Sequence, residues 1–269
     1  TIQKLALGAI TLLASGCLLG EEETGNKNGT IQVGDNNAPE QIFVFTSDYT
    51  SGELHRFSLD DTTFSDGISF YQDSRLRSDG DNLWILEGLG VDNLIKLPLN
   101  YQSKDDILLE RSLPESSNPV DIEFLGDKAW VSLENTNKII QINTETGNTI
   151  RSVDLSKFAL DENNQANPGE LMLSNDTLFV LIQSRDGYNP GKKGTLLLVN
   201  ANNGNTLKEI TLPFKNPTSM VKVEDQILVS ISGSYLIEPD STRGIVSVNL
   251  TNGKSTILMT DLDLEGQPK

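Results

Sequence analysis

The sequence predicts an all-β molecule assembled from repeated units of four short strands. Three observations predict it. Asn-Pro recurs at Asn118-Pro119, Asn167-Pro168 and Asn216-Pro217, and both intervals are 49 residues. Each Asn-Pro is followed by β-prone runs that alternate apolar and polar residues with period two, as in NKIIQIN and TIRSVDL. Within each repeat a Thr-Gly or Asn-Gly pair, ending at Gly147, Gly204 or Gly253, sits between the third and fourth runs. Such a pair signals a hairpin, because Gly takes positive φ at little steric cost. No stretch of the body carries a long apolar pattern of 3.6-residue period.

From the amino terminus, residues 1–17 read TIQKLALGAITLLASGC. Lys4 supplies a positive start and Leu5–Ala14 an apolar run of ten residues, too short for a bilayer crossing of about 20. Ala14, Ser15 and Gly16 then lead into Cys17, the sole cysteine. That order is a secretory-signal pattern, and the small residues before Cys17 resemble the lipobox of bacterial lipoproteins. The resemblance implies a signal peptide over 1–16, lipid on Cys17 and a membrane anchor of acyl chains. Leu18, where inner-membrane lipoproteins of many Gram-negative bacteria carry Asp, implies outer-membrane sorting. Residues 17–39 are rich in Gly, Asn and Glu and are expected to form a flexible linker.

The folded body is expected over 40–269, in units of about 40–75, 76–117, 118–166, 167–215 and 216–269. In the last three, the apolar runs VDIEFL, GELMLS and TSMVKV come first. A polar turn follows, then KAWVSLEN, TLFVLIQS or QILVSISG, then NKIIQIN, GTLLLVN or GIVSVNL, then TIRSVDLS, TLKEITLP or STILMTDL. DNLWILEGL, DNLIKLPLN and ILLERSL form an earlier unit, QIFVFTSD and GELHRFSLD another. Aligning the second strands places Phe43, Trp84, Trp130, Phe179 and Leu228 at one position, where a large side chain would pack between neighbouring sheets. Four antiparallel strands per repeat describe the blade of a β-propeller. The Asn-Pro units and the run Val131–Gly147, VSLENTNKIIQINTETG, resemble the YVTN-type (YncE-like) propellers of bacterial envelopes. The resemblance covers residues 40–265. That family commonly has seven blades, so the five units here are expected to be part of an incomplete seven-bladed ring from a longer chain.

Composition narrows the function. Twenty-one basic and 38 acidic side chains give a net charge of −17, which argues against nucleic acid as a partner. One Cys excludes an internal disulfide, and one His, His55, argues against a His-based triad or zinc cluster. Asp161, Glu162, Asn163 and Asn164 are rich in oxygen ligands suited to Ca²⁺, but they depart from EF-hand spacing and are read as a solvated loop. No cofactor is expected, and no catalytic residue is assigned. Asp121 and Glu170 share a register position that faces the channel, neither with a visible acid or base partner.

The candidate binding residues lie on two insertions between the second and third strands, RDGYNPGKKG and SYLIEPDSTRG. They are Tyr188, Lys192, Lys193, Tyr235, Glu238, Asp240 and Arg243. Aromatic rings beside mixed charges suit a sugar, a peptide or a protein surface. The sequence therefore supports a lipid-anchored envelope scaffold that binds a protein or envelope polymer, facing the periplasm or the cell surface. The alternative is a propeller enzyme, lactonase-like or quinoprotein-like, with its site on the channel.

Overall fold

The computed structural model describes residues 41–58, 66–160, 165–186, 189–233 and 242–264. Blade 1 has three described strands, β1 (Gln41–Ser47), β2 (Gly52–Ser58) and β3 (Ile68–Phe70). Blade 2 is β4 (Ser74–Ser78), β5 (Asn82–Glu87), β6 (Asn93–Pro98) and β7 (Leu109–Ser112). Blade 3 is β8 (Pro119–Leu125), β9 (Lys128–Leu133), β10 (Lys138–Asn143) and β11 (Thr149–Asp154). Blade 4 begins with β12 (Pro168–Ser174) and β13 (Thr177–Ile182). The two-residue strands β14 (Arg185–Asp186) and β15 (Asn189–Pro190) make a side hairpin, and β16 (Thr195–Asn200) and β17 (Thr206–Thr211) complete the blade. Blade 5 is β18 (Pro217–Val223), β19 (Gln226–Ile231), β20 (Gly244–Asn249) and β21 (Ser255–Thr260). In every blade the strands pair antiparallel in chain order, as the repeats predict.

Local chemistry explains the repetition. Asn118, Asn167 and Asn216 take φ of 50°, 52° and 59°, a conformation Asn tolerates better than most residues. Each is followed by Pro at the first position of an inner strand, where no ladder N–H is needed. One extra residue follows each Pro, so the register shifts between Pro119 and Asp121, Pro168 and Leu171, and Pro217 and Ser219. Such bulges bend the strand and raise its twist, which suits an inner strand turning into the channel. At the third-to-fourth hairpin, Asn143 Oδ1 accepts from the Glu145 and Thr146 N–H groups, and Gly147 closes the turn at φ 67°. Asn200 with Gly204 (φ 81°) and Asn249 with Gly253 (φ 72°) repeat it.

The sheets stack face to face in chain order through four apolar layers. Leu54 and Phe70 meet Leu83 and Ile85 between blades 1 and 2. Trp84 and Leu94 meet Ile122, Val131 and Ile140 between blades 2 and 3. Trp130, Ile139 and Val153 meet Leu178, Val180 and Leu197 between blades 3 and 4. Phe179, Leu196 and Ile210 meet Ile227, Val229 and Val246 between blades 4 and 5. The shared second-strand position points Trp84, Trp130 and Phe179 at the following blade. Trp130 Nε1 also donates to Ala201 O at 2.9 Å, and Gln141 Nε2 reaches the same oxygen at 3.0 Å. Among the described residues no layer joins blade 5 to blade 1, and the ring is open. The fold is an all-β propeller of about five blades. No described helix is long and apolar enough to cross a membrane.

Candidate functional site

Two places gather polar chemistry: the channel wall built by the inner strands, and the rim where the Asn-Pro turns meet the first insertion. The inner strands are the free edges of their sheets, so one side of each backbone lacks a ladder partner. Carboxylates from the preceding blade supply acceptors there. Asp121 Oδ2 on β8 accepts from Leu171 N on β12 at 2.8 Å. Glu123, two residues on, accepts from the Leu173 backbone N–H. Glu170 on β12 repeats the Asp121 device one blade later, accepting from Met220 N on β18. Arg77 on β4 closes the series, with Nε 2.8 Å from Asp121 Oδ1. One guanidinium and three carboxylates thus tie four consecutive inner strands together.

This clustering sets the proton affinities. Burial pushes Glu123 up to about 7, and the neighbouring Asp121 charge adds to it. Burial likewise pushes Glu170 up to about 7, against the Met220 N–H bond that favours the charged form. Asp121 is raised by burial, with the Arg77 charge and the Leu171 and Ile122 N–H groups opposing. Of these four residues the repeat alignment points to Asp121 and Glu170. Arg77 and Glu123 emerge only from the structure, where Arg77 holds on β4 the register position that Glu123 holds on β8.

At the rim the buried Asn side chains clasp the loops. Asn118 Oδ1 accepts from Leu89 N at 3.1 Å, and its Nδ2 donates to Glu134 Oε2 at 2.8 Å. Asn167 Oδ1 accepts from Arg185 N at 2.8 Å, and its Nδ2 donates to Glu134 O at 3.1 Å. An ion pair between Arg185 and Glu134 joins the first insertion of blade 4 to blade 3. The Asn118 and Asn167 turns and the start of the first insertion, at Arg185, therefore share one end of the blade stack.

Of the candidate binding residues, Lys192 and Lys193 are exposed on the first insertion. Lys192 Nζ donates to Ala159 O at 2.7 Å, across the seam to the blade 3–4 connector. Arg243 lies immediately before β20, with Nη1 3.7 Å from Asp261 Oδ2. Both residues border an open cavity of about 410 Å³ together with Ser230, Ser232 and Ile245. Lys192 and Arg243 thus serve separate local settings on blades 4 and 5. Tyr188, Tyr235, Glu238 and Asp240 lie outside the described residues, as do Cys17 and the Asp161–Asn164 run. His55 lies on β2 with Nε2 3.4 Å from Glu53 Oε2.

No family model matches the sequence, and no curated protein matches it. Solved structures do match by shape. BamB from Moraxella catarrhalis superposes with a TM-score of 0.54 at 11 % identity, covering 84 % of this chain and 63 % of BamB. Hydrazine synthase of Kuenenia stuttgartiensis gives 0.59 at 14 % identity, covering 86 % of this chain and 69 % of the enzyme chain. A candidate 6-phosphogluconolactonase of Bacteroides fragilis gives 0.55 at 18 % identity, covering 80 % and 66 %. The chain spans about three fifths of the length of BamB. At these identities the likeness shows the propeller fold alone.

Proposed function

We propose that this protein is a non-catalytic binding or assembly scaffold of the bacterial cell envelope, held by lipid on Cys17 and presenting its rim to a protein or envelope polymer. The observation that carries the reading is the use made of the channel carboxylates. Asp121, Glu123 and Glu170 are each bonded to the backbone of the next inner strand, and Asp121 also to Arg77. The wall where a propeller enzyme would carry its chemistry is here a structural seam. The exposed Lys192 and Lys193 of the first insertion stand toward the rim, where a macromolecular partner has access. The envelope address rests on the lipobox-like segment ending at Cys17. The fold neighbours, BamB, an enzyme and a candidate lactonase among them, span unrelated roles and leave the choice to the site.

One observation favours the lactonase-like or quinoprotein-like alternative. Glu123 and Glu170, pushed up to about 7, sit in the range where a carboxyl group exchanges protons usefully at neutral pH. Melting curves of the purified body with Ca²⁺, with EDTA and with sugar lactones separate the readings, because a ligand of the native state raises the melting temperature by mass action. The scaffold reading expects no shift with any of them and no lactone turnover. A Ca²⁺ shift reversed by EDTA, with turnover lost in Glu123→Gln, overturns it. The anchor is tested separately by metabolic labelling with an alkyne fatty acid, which should be incorporated in the wild type and absent from Cys17→Ser.

A further inference from the structure

Two adjacent rim loops hold large apolar side chains out to solvent on left-handed backbone. Tyr49, in the β1–β2 turn of blade 1, has φ 68° and is 82 % exposed. Leu89, in the β5–β6 turn of blade 2, has φ 40° and is 58 % exposed. Val91, two residues on, is 36 % exposed. Left-handed backbone disfavours a residue with a Cβ, and Gly, Asn and Asp are its usual occupants. Neither Tyr49 nor Leu89 belongs to an apolar layer of the blade stack.

Hydrogen bonds fix both loops in this shape. Asp48 Oδ1 accepts from Thr50 N at 2.9 Å and Ser51 N at 2.7 Å, and Tyr49 N donates to Ser47 Oγ at 3.1 Å. Leu89 N donates to Asn118 Oδ1, and Leu89 O accepts from the Tyr71 hydroxyl at 3.1 Å. Gly88 N donates to Asp73 O at 2.8 Å, and Asp92 accepts from Ser116 N and Asn118 N at 2.7 Å each. Tyr71 makes the two loops one surface. Its carbonyl packs on Gly52, just after the Tyr49 turn, so closely that a Cβ there would stand 2.7 Å from it. Its hydroxyl reaches Leu89. The patch is apolar, exposed and already rigid, which lowers the ordering cost of an interface. Its borders are acidic: the loops 48–51, 71–73, 88–92 and 113–118 contain Asp48, Asp73, Asp92 and Glu115 and no Lys or Arg.

We propose that Tyr49, Tyr71, Leu89 and Val91 form a docking surface for a protein partner, and that the partner presents aromatic or aliphatic side chains flanked by lysine or arginine. The inference rests on the scaffold reading above and narrows its partner to a protein. Exposed tyrosine and aliphatic knobs suit an apolar recess on another protein. The acidic border attracts basic side chains and repels an anionic lipid or polymer. A second copy of the chain, at a net charge of −17, meets the same repulsion.

The test variant is Tyr49→Gly/Leu89→Gly, which keeps every backbone hydrogen bond named above and relieves the left-handed strain. It should fold, with a melting temperature equal to or above that of the wild type. The whole protein, carrying Cys17→Ser, is panned against a phage-displayed library of random short peptides. Recovered peptides are synthesised and titrated by fluorescence anisotropy. The proposal predicts peptides with Lys or Arg beside aromatic or aliphatic residues, bound at least tenfold more weakly by the glycine variant and more weakly as salt rises. Leu207→Ala, at a side chain 54 % exposed on the outermost strand of blade 4, should bind them as the wild type does. No recovered peptide, or peptides bound equally by the wild type and the glycine variant, overturns the proposal. Binding lost in Lys192→Ala/Lys193→Ala but kept in the glycine variant also overturns it, and leaves the scaffold reading standing. A wild-type dimer in sedimentation that the glycine variant lacks overturns it too and assigns the patch to a second copy.

Discussion

Trp130 joins two blades with one side chain: its ring fills the layer against blade 4, and its N–H bonds the Ala201 carbonyl there. Trp130→Ala removes the ring and one of the two donors to that carbonyl, the other being Gln141 Nε2, so it should cost about 3–5 kcal/mol. Urea unfolding measures the cost; a change under 1 kcal/mol would mean that blades 3 and 4 do not depend on this contact. Asp121 is bonded on both oxygens, so its two variants should differ. Asp121→Ala leaves Arg77 without its carboxylate and the Leu171 N–H without its acceptor, and should cost about 3 kcal/mol. Asp121→Asn keeps an acceptor for Leu171 and should cost less than half of that by the same measurement. An Asn variant less stable than the Ala variant would contradict the assigned bonds. The Trp130 position was legible in the sequence, since a large apolar residue recurs in register. The partners of Asp121 and Glu170 were not, because a backbone N–H can come from any residue and leaves no mark in composition.

The elements show the same division. Strands and hairpins followed from alternation and from Gly147, Gly204 and Gly253, each at positive φ in its turn. The inner strand of blade 2, Ser74–Ser78, escaped the repeat pattern because its SRLRS run has no Asn-Pro start and a single aliphatic residue. Its Arg77 does its work through Asp121, 44 residues away, and so gives no local signal. The side hairpin of blade 4 lies within a segment legible as an insertion, but its anchors Glu134 and Asn167 belong to the seam between blades. Asn167→Ala removes the acceptor for Arg185 N and the donor to Glu134 O, and should destabilise by about 1–3 kcal/mol. The insertion should also become the first site of proteolytic nicking, read by mass spectrometry of a limited digest. Unchanged digestion would show that the Asn clasp does not hold the rim.

Across the whole molecule, three carboxylates from blades 3 and 4 and the guanidinium of blade 2 link the inner strands of four blades, so their ionisation belongs to the stack. Glu123 and Glu170 are raised in the folded protein from ordinary values of 4.5 to about 7. Between those limits the folded chain holds protons that the unfolded chain has released, so stability falls as pH rises through this window. Below it the opposite group takes over. Asp48, Asp106, Asp154 and Asp263 are held under the usual carboxylate range by N–H and hydroxyl donors, and their contribution is lost as they protonate. The protein should therefore be most stable near pH 5. The most direct test is thermal unfolding of the wild type and of Glu123→Gln/Glu170→Gln at pH 5 and pH 8. Gln keeps a carbonyl acceptor for the Leu173 and Met220 N–H groups while removing the charge. If these carboxyls form the seam between blades, the wild type melts several degrees lower at pH 8 than at pH 5, and the double variant melts at nearly the same temperature at both. A wild type equally stable at both pH values, or a double variant that keeps the full difference, would contradict the seam.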